Sequence, residues 1–189
     1  MSAQIGQLKP ILPRRRPWWL LVLAGMLVFG FYQERAKIQL NHYMQVMEAN
    51  PELQRMPSEA REQWWNAHPQ PQRIHYYIME DTWNGFHRYS MQELGWMKWA
   101  LSMGILIAFF ALDALFLRTT GHLDRWPWLI VMYCIAGAIM AVFIALVPGK
   151  AGYGVAHEFL AFLQSPLPSL LIVLVPSLFE RMRIEAPTD

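Results

Sequence analysis

From Pro127 to Val147 the chain runs for 21 residues without a charged side chain. A helix needs about 20 largely apolar residues to cross roughly 30 Å of hydrocarbon, so this stretch alone predicts a membrane protein. Three further apolar stretches support it: Pro17 to Tyr32, Trp96 to Leu117, and a proline-interrupted one between Val155 and Phe179. Charged residues make up 16% of the chain and apolar ones 54%, against about 25% and about 45–50% in an average soluble domain. Mean hydropathy is nevertheless only +0.17, because the segment between the first two stretches is long and polar.

The expected architecture is an all-α membrane protein, a four-transmembrane-helix bundle with a long first helix projecting from the bilayer and a proline-broken fourth helix. In chain order it comprises a cytoplasmic N-terminus (1–16), a first span (17–32), an extracytoplasmic, partly helical loop (33–95) and a second span (96–117). A cytoplasmic loop (118–126), a third span (127–147), an external turn (148–154), a fourth span (155–180) broken near 165–169, and a cytoplasmic tail (181–189) follow.

Orientation follows from basic residues in short loops. Lys9, Arg14, Arg15, Arg16, Arg118, Arg125, Arg181 and Arg183 fall in the three pieces assigned to the cytoplasm, whereas the 33–95 loop carries six basic and eight acidic residues. Both termini are therefore expected inside, in a bacterial inner membrane. Arg14 to Arg16 and the apolar run after them resemble a signal sequence, but the run ends Phe29-Gly30-Phe31-Tyr32-Gln33 without a small-residue cleavage site, so an uncleaved anchor is expected. Trp18, Trp19, Trp96, Trp99, Trp126 and Trp128 stand where interface anchors belong.

Beyond the first apolar stretch, Ala36, Leu40, Tyr43 and Met47 recur at helical spacing. One helix over about 18–49 is predicted, ended by Asn50-Pro51. Ser58 reads as the N-cap of a short helix to Ala67, His68-Pro69-Gln70-Pro71 as its end, Asn84-Gly85 as a turn, and Ser90-Met91-Gln92-Glu93 as a capping box opening the second span. Small residues at Ala100, Gly104 and Ala108, and at Gly137, Ala141 and Ala145, predict faces that pack on each other or on partner helices. Ser165-Pro166-Leu167-Pro168-Ser169 predicts a break between helices over about 155–164 and 168–182, whose freed backbone groups must be buried in protein or meet water.

Few residues carry chemistry. His157-Glu158 begins a His-Glu-x-x-His zinc motif that fails at Ala161. A polar interface pair is the simpler reading, a proton-handling or ligand-binding pair the functional one. Asp113, inside the second span, is expected to pair with Arg118 or Arg125 or to reach the interface; its functional reading is a polar site facing a cavity. His68, His75 and His87, with Glu80 and Asp81 nearby, offer metal-ligating atoms in no compact metal signature, and surface or packing roles suffice. Trp64, Trp65, Tyr76, Tyr77, Trp83, Phe86 and Tyr89 could build a small core under the loop, lie at the lipid surface, or present an interface. Pro148 to Gly154 is glycine-rich, but Ile144 and Ala151 stand where a phosphate-binding loop needs Gly and Ser or Thr, so an external turn is expected. Cys134, the only cysteine, reads as a small packing residue.

No cofactor and no metal is implied, and a net charge of +2 gives no nucleic-acid field. The expected partners are membrane lipid and other membrane protein subunits. The function expected is that of a non-catalytic integral membrane component: a subunit, scaffold or assembly factor of an inner-membrane complex. The alternative is a small transporter or lipid-active enzyme with its site at the broken fourth helix.

Overall fold

The structure is a computed structural model that describes residues 18–68, 85–147 and 150–185. The described residues are helical throughout their regular parts, with no strand among them. Two compact units emerge. One comprises residues 29–105, the other residues 1–28 and 106–189. Two long helices contribute to both: α1 (Trp18–Ala49) and α4 (Met91–Thr120).

In the 29–105 unit, α1 buries Ala36, Leu40, Tyr43 and Met47, the four positions that helical spacing singles out. Its end is built by amides. The Asn50 side chain and backbone N–H both donate to Val46 O, at 2.9 and 3.0 Å, and Gln54 Nε2 donates to Met47 O at 3.0 Å. These donors satisfy carbonyls that a helix end leaves open. Pro51, pre-set in φ, starts the short α2 (Pro51–Arg55). The following α3 runs Ser58–Ala67. Ser58 is its first helical residue rather than its N-cap: Pro57 holds the extended cap position and no side chain caps the helix.

Leu40, Tyr43, Met47, Trp65, Phe86 and Leu94 form one core, flanked by Trp64, Met91 and Met97. Tyr43 meets Trp65 edge-on at 4.6 Å and Phe86 at 5.8 Å, both favourable aromatic geometries. Of the three aromatic roles open from sequence, Trp65 and Phe86 take the core; Tyr76, Tyr77 and Trp83 lie outside the described residues, as does Asn84 of the Asn84-Gly85 turn. Arg61 is buried beside this core and donates from Nη2 to Arg88 O at 2.9 Å, which ties α3 to the 3-10 turn Phe86–Arg88. The capping box is formed. Ser90 N–H reaches Glu93 Oε2 at 2.7 Å and Glu93 N–H returns to Ser90 Oγ at 3.3 Å, so α4 starts at Met91.

In the other unit α4 ends in a Schellman turn. Gly121 has φ +80, His122 N–H donates to Leu117 O at 2.8 Å and Gly121 N–H to Arg118 O at 3.2 Å. Then come a 3-10 turn at Leu123–Arg125, α5 (Trp126–Leu146), α6 (Lys150–Leu163) and α7 (Leu167–Glu185). The glycine-rich segment is not a turn throughout: helix begins at Lys150, and α6 packs more extensively on α5 than any other element does. Gly152 allows it, because a Cβ there would collide with Val147 O and stand 2.6 Å from Phe143 O. The predicted break is present between Leu163 and Leu167, and the flanking helices bend by 70° across it.

Two helical stretches, Met91–Thr120 and Leu123–Leu146, are long and apolar enough to cross a membrane, and the bent pair would make a third if it counts as one span. The apolar part of α1 is shorter, 15 residues from Trp18 to Tyr32 before Gln33-Glu34-Arg35 follow, or about 22 Å of helix rise. Trp18, Trp96, Trp99, Trp126 and Trp128 are exposed. Cys134 is exposed too, so it does not pack inside the chain; its position on α5 places it on an uncovered face.

Candidate functional site

The helix break converges on Asp113, which has no exposed surface. Pro166 and Pro168 cannot donate a backbone N–H and so prevent α6 from running on into α7. The carbonyls at the end of α6 therefore need other donors. Ser165 Oγ donates to Phe162 O at 2.6 Å. Leu163 O would have taken the N–H of Leu167 in a continuous helix, but that N–H goes to Ser165 Oγ at 3.2 Å. The donor that reaches Leu163 O is the hydroxyl of Tyr133 on α5, at 2.9 Å. The same hydroxyl stands 2.8 Å from Asp113 Oδ2. Phe110 meets the Tyr133 ring edge-on at 5.1 Å and helps to fix it.

Asp113 Oδ1 is buried without a hydrogen bond of standard geometry. Ser169, in the first turn of α7, faces the carboxyl with its N–H and hydroxyl, but the hydroxyl is turned to Pro166 O at 3.2 Å. The site thus joins a carboxyl from α4, a phenol from α5, the last carbonyl of α6 and the opening turn of α7.

The expected Asp113–arginine pairing is replaced by Asp113–Tyr133. Arg118 is exposed beyond the buried carboxyl. Arg125 is engaged elsewhere: its Nη1 donates to Ile172 O at 2.9 Å and lies 3.4 Å from Val173 O. Pro176 explains this. It sits inside α7, where it removes the N–H that Ile172 O would accept, and the guanidinium supplies the missing donor. Ser177 Oγ donates to Val173 O at 2.7 Å in the next register. Beside Arg125 an open cleft of about 820 Å³ lies between α5 and α7, walled by Val131, Met132, Ile135, Leu171 and Val175.

His157 and Glu158 are exposed on α6, six and five residues before Leu163, or about 9 and 7.5 Å along the helix. Their exposure sets them apart from the buried Asp113. His68 is exposed at the end of α3, where its Nδ1 lies 2.8 Å from Trp64 O and its ring stacks on Trp64 at 4.0 Å. His75 and the side chain of His87 lie outside the described residues, and among the described residues no three metal-ligating side chains gather. The sequence does not single out Tyr133 or Ser169 as site residues. The signal was there for Tyr133, the single hydroxyl-bearing side chain between Pro127 and Val147; for Ser169 it was the adjacent prolines.

No protein-family model matches the chain, and no curated protein or solved structure is significantly similar to it.

Proposed function

We propose that the chain is a non-catalytic multi-pass component of a bacterial inner-membrane complex: a subunit, scaffold or assembly factor with four spans, both termini in the cytoplasm and the 33–95 loop outside. The observation that carries this reading is how little of its apolar helix surface the chain covers itself. Of the most apolar 18-residue window in Leu123–Leu146, 11% is buried, and of that in Met91–Thr120, 28%. The small residues Ala100, Gly104, Ala141 and Ala145 are exposed, and a Cβ at Gly104 or at Gly137 would meet nothing within 4 Å. Faces of this kind let helices from another subunit approach closely in lipid. Membrane lipid covers what remains.

The test is purification in mild detergent. A defined membrane partner should co-purify with the wild type, and the Gly104→Leu and Ala141→Leu variants should release it while remaining in the membrane. Recovery of the chain as a lone species active in transport or catalysis sinks the proposal.

The second reading is a small transporter or lipid-active enzyme with its site at the helix break. The burial of Asp113 at that break favours it, since discontinuous helices and intramembrane carboxyls mark substrate and ion paths. Alanine at His157 and at Glu158 would abolish activity if those residues belong to the site; unchanged activity in both removes them from it.

A further inference from the structure

We propose that Asp113, Tyr133 and the Leu163 carbonyl form a proton-binding site that couples one carboxyl to the geometry of the helix break. Tyr133 has one hydroxyl hydrogen and two acceptors within reach, Asp113 Oδ2 at 2.8 Å and Leu163 O at 2.9 Å. An ionised carboxylate is an acceptor only. With Asp113 ionised, Asp113 Oδ2 and Leu163 O would compete for the single Tyr133 hydrogen, and one of the two would go without it.

One added proton completes the set. Placed on Oδ2, it donates to the Tyr133 oxygen, and the Tyr133 hydrogen is free to donate to Leu163 O. The new O–H bond takes its proton from water, the Tyr133 O–H bond stays intact and only changes its acceptor, and no other reactant is needed. The result is a continuous chain from carboxyl to phenol to the Leu163 carbonyl, whose helical donor, the Leu167 N–H, has gone to Ser165 Oγ. Oδ1, buried without a hydrogen bond of standard geometry, then belongs to a neutral acid rather than to a carboxylate, for which burial without full pairing is costly.

The groups facing the carboxyl are consistent with a proton as the occupant. From α5 the facing group is Tyr133, and from α7 it is Ser169, which carries no charge. From α6 it is the Leu163 carbonyl, reached through Tyr133; His157 and Glu158 of that helix are exposed. On α4 itself Arg118 is exposed, and Arg125, just before α5, is committed to Ile172 O.

The site also has a consequence for conformation. When the proton leaves, the carboxylate claims the Tyr133 hydrogen, since a hydrogen bond to a charged acceptor is about twice as strong as one to a neutral acceptor. Leu163 O then loses its donor, and the junction across which α6 and α7 bend loses one of its ties.

Infrared spectroscopy of the purified full-length protein in heavy water, compared with variants, tests this without reference to any partner or activity. At neutral pH the wild type should give a protonated-carboxyl stretch that is absent from Asp113→Asn and displaced in Tyr133→Phe. The side-chain amide of the Asp113→Asn variant would keep a donor toward Tyr133, so that variant is expected to retain its fold. If it does not, isotope labelling of aspartate carries the same comparison. The labelled protonated band should move in Tyr133→Phe. No protonated aspartate band in the wild type, or one that neither variant changes, overturns the proposal.

Discussion

Arg125 shows how one side chain can correct a defect placed 51 positions later. Pro176 leaves Ile172 O without its helical N–H, and Arg125 Nη1 fills the gap at 2.9 Å. Removing one partner of a buried hydrogen bond costs about 1–3 kcal/mol. Arg125→Ala should therefore lower stability in detergent by about that amount. In a Pro176→Ala background the helix regains its own donor, and the same arginine substitution should cost much less. Thermal unfolding of the two single variants and the double variant gives the coupling; additive losses would mean that Arg125 acts through something other than this carbonyl. The sequence pointed to Asp113 as the residue to explain but to the wrong partner. Proximity along the chain favoured arginine, whereas the proline-freed carbonyl of α7 claims Arg125 and the phenol of α5 reaches the acid. Both depend on contacts between residues 20 or more positions apart, which spacing on one helix does not reveal.

Lys37 makes a prediction of opposite sign to the usual salt-bridge argument. It lies on the part of α1 beyond the apolar stretch, and burial pushes its ammonium below the ordinary lysine value more than Glu34, 3.9 Å away, raises it. The unfolded chain then binds the proton more tightly than the folded one. Stability should rise as pH increases from the folded value toward 10.5. Lys37→Met should flatten that rise and stabilise the protein at neutral pH. A pH series of unfolding midpoints for both proteins decides it; an identical alkaline slope in the two would remove Lys37 as the cause.

Among the elements, the α5–α6 turn departs most from what its residues suggest. Pro148 to Gly154 has the composition of a loop, yet helix begins at Lys150. Composition is a weak guide here because Gly152 serves close packing rather than freedom of φ. Any Cβ at that position would drive into the carbonyls of Val147 and Phe143. Gly154, two residues on, would meet nothing within 4 Å. The pair is an internal control. Gly152→Ala should destabilise by about 1–3 kcal/mol through forced backbone shifts, whereas Gly154→Ala should be neutral or stabilising by up to about 1 kcal/mol from helix propensity. Equal effects in unfolding experiments would refute the close approach. Other elements were legible for local reasons. The end of α1 at Asn50, the Ser90–Glu93 box and the break at Ser165–Pro168 are written in contiguous residues. The cap falls one position before Ser58, because Pro57 supplies the extended residue that precedes the helix and leaves Ser58 inside it.

At the scale of the whole molecule, apolar length predicts the all-helical class and the two spans-in-length α4 and α5, because a long uncharged run has few alternatives. The division into two units was less visible, since α1 and α4 run through both without any linker composition to mark it. What distinguishes the 29–105 unit is its own core, in which Trp65 contacts Tyr43 and His42 and stands 5.5 Å from Trp64. Truncating a buried aromatic of this size costs about 3–5 kcal/mol, a large part of what holds a small unit together. If the two units are separately cooperative, Trp65→Ala should open α3 and the Phe86–Arg88 turn while the amides of α5 and α6 keep their protection. Hydrogen exchange resolved by segment reads both at once. The tie from Arg61 to Arg88 O should be lost together with Trp65, because both side chains project from α3 and both are buried with it. Arg61→Met should therefore expose the same segments as Trp65→Ala, to a smaller degree. Simultaneous loss of protection in α5 and α6 would mean that the continuous helices α1 and α4 bind the two units into one cooperative structure, and that the 29–105 unit has no stability of its own.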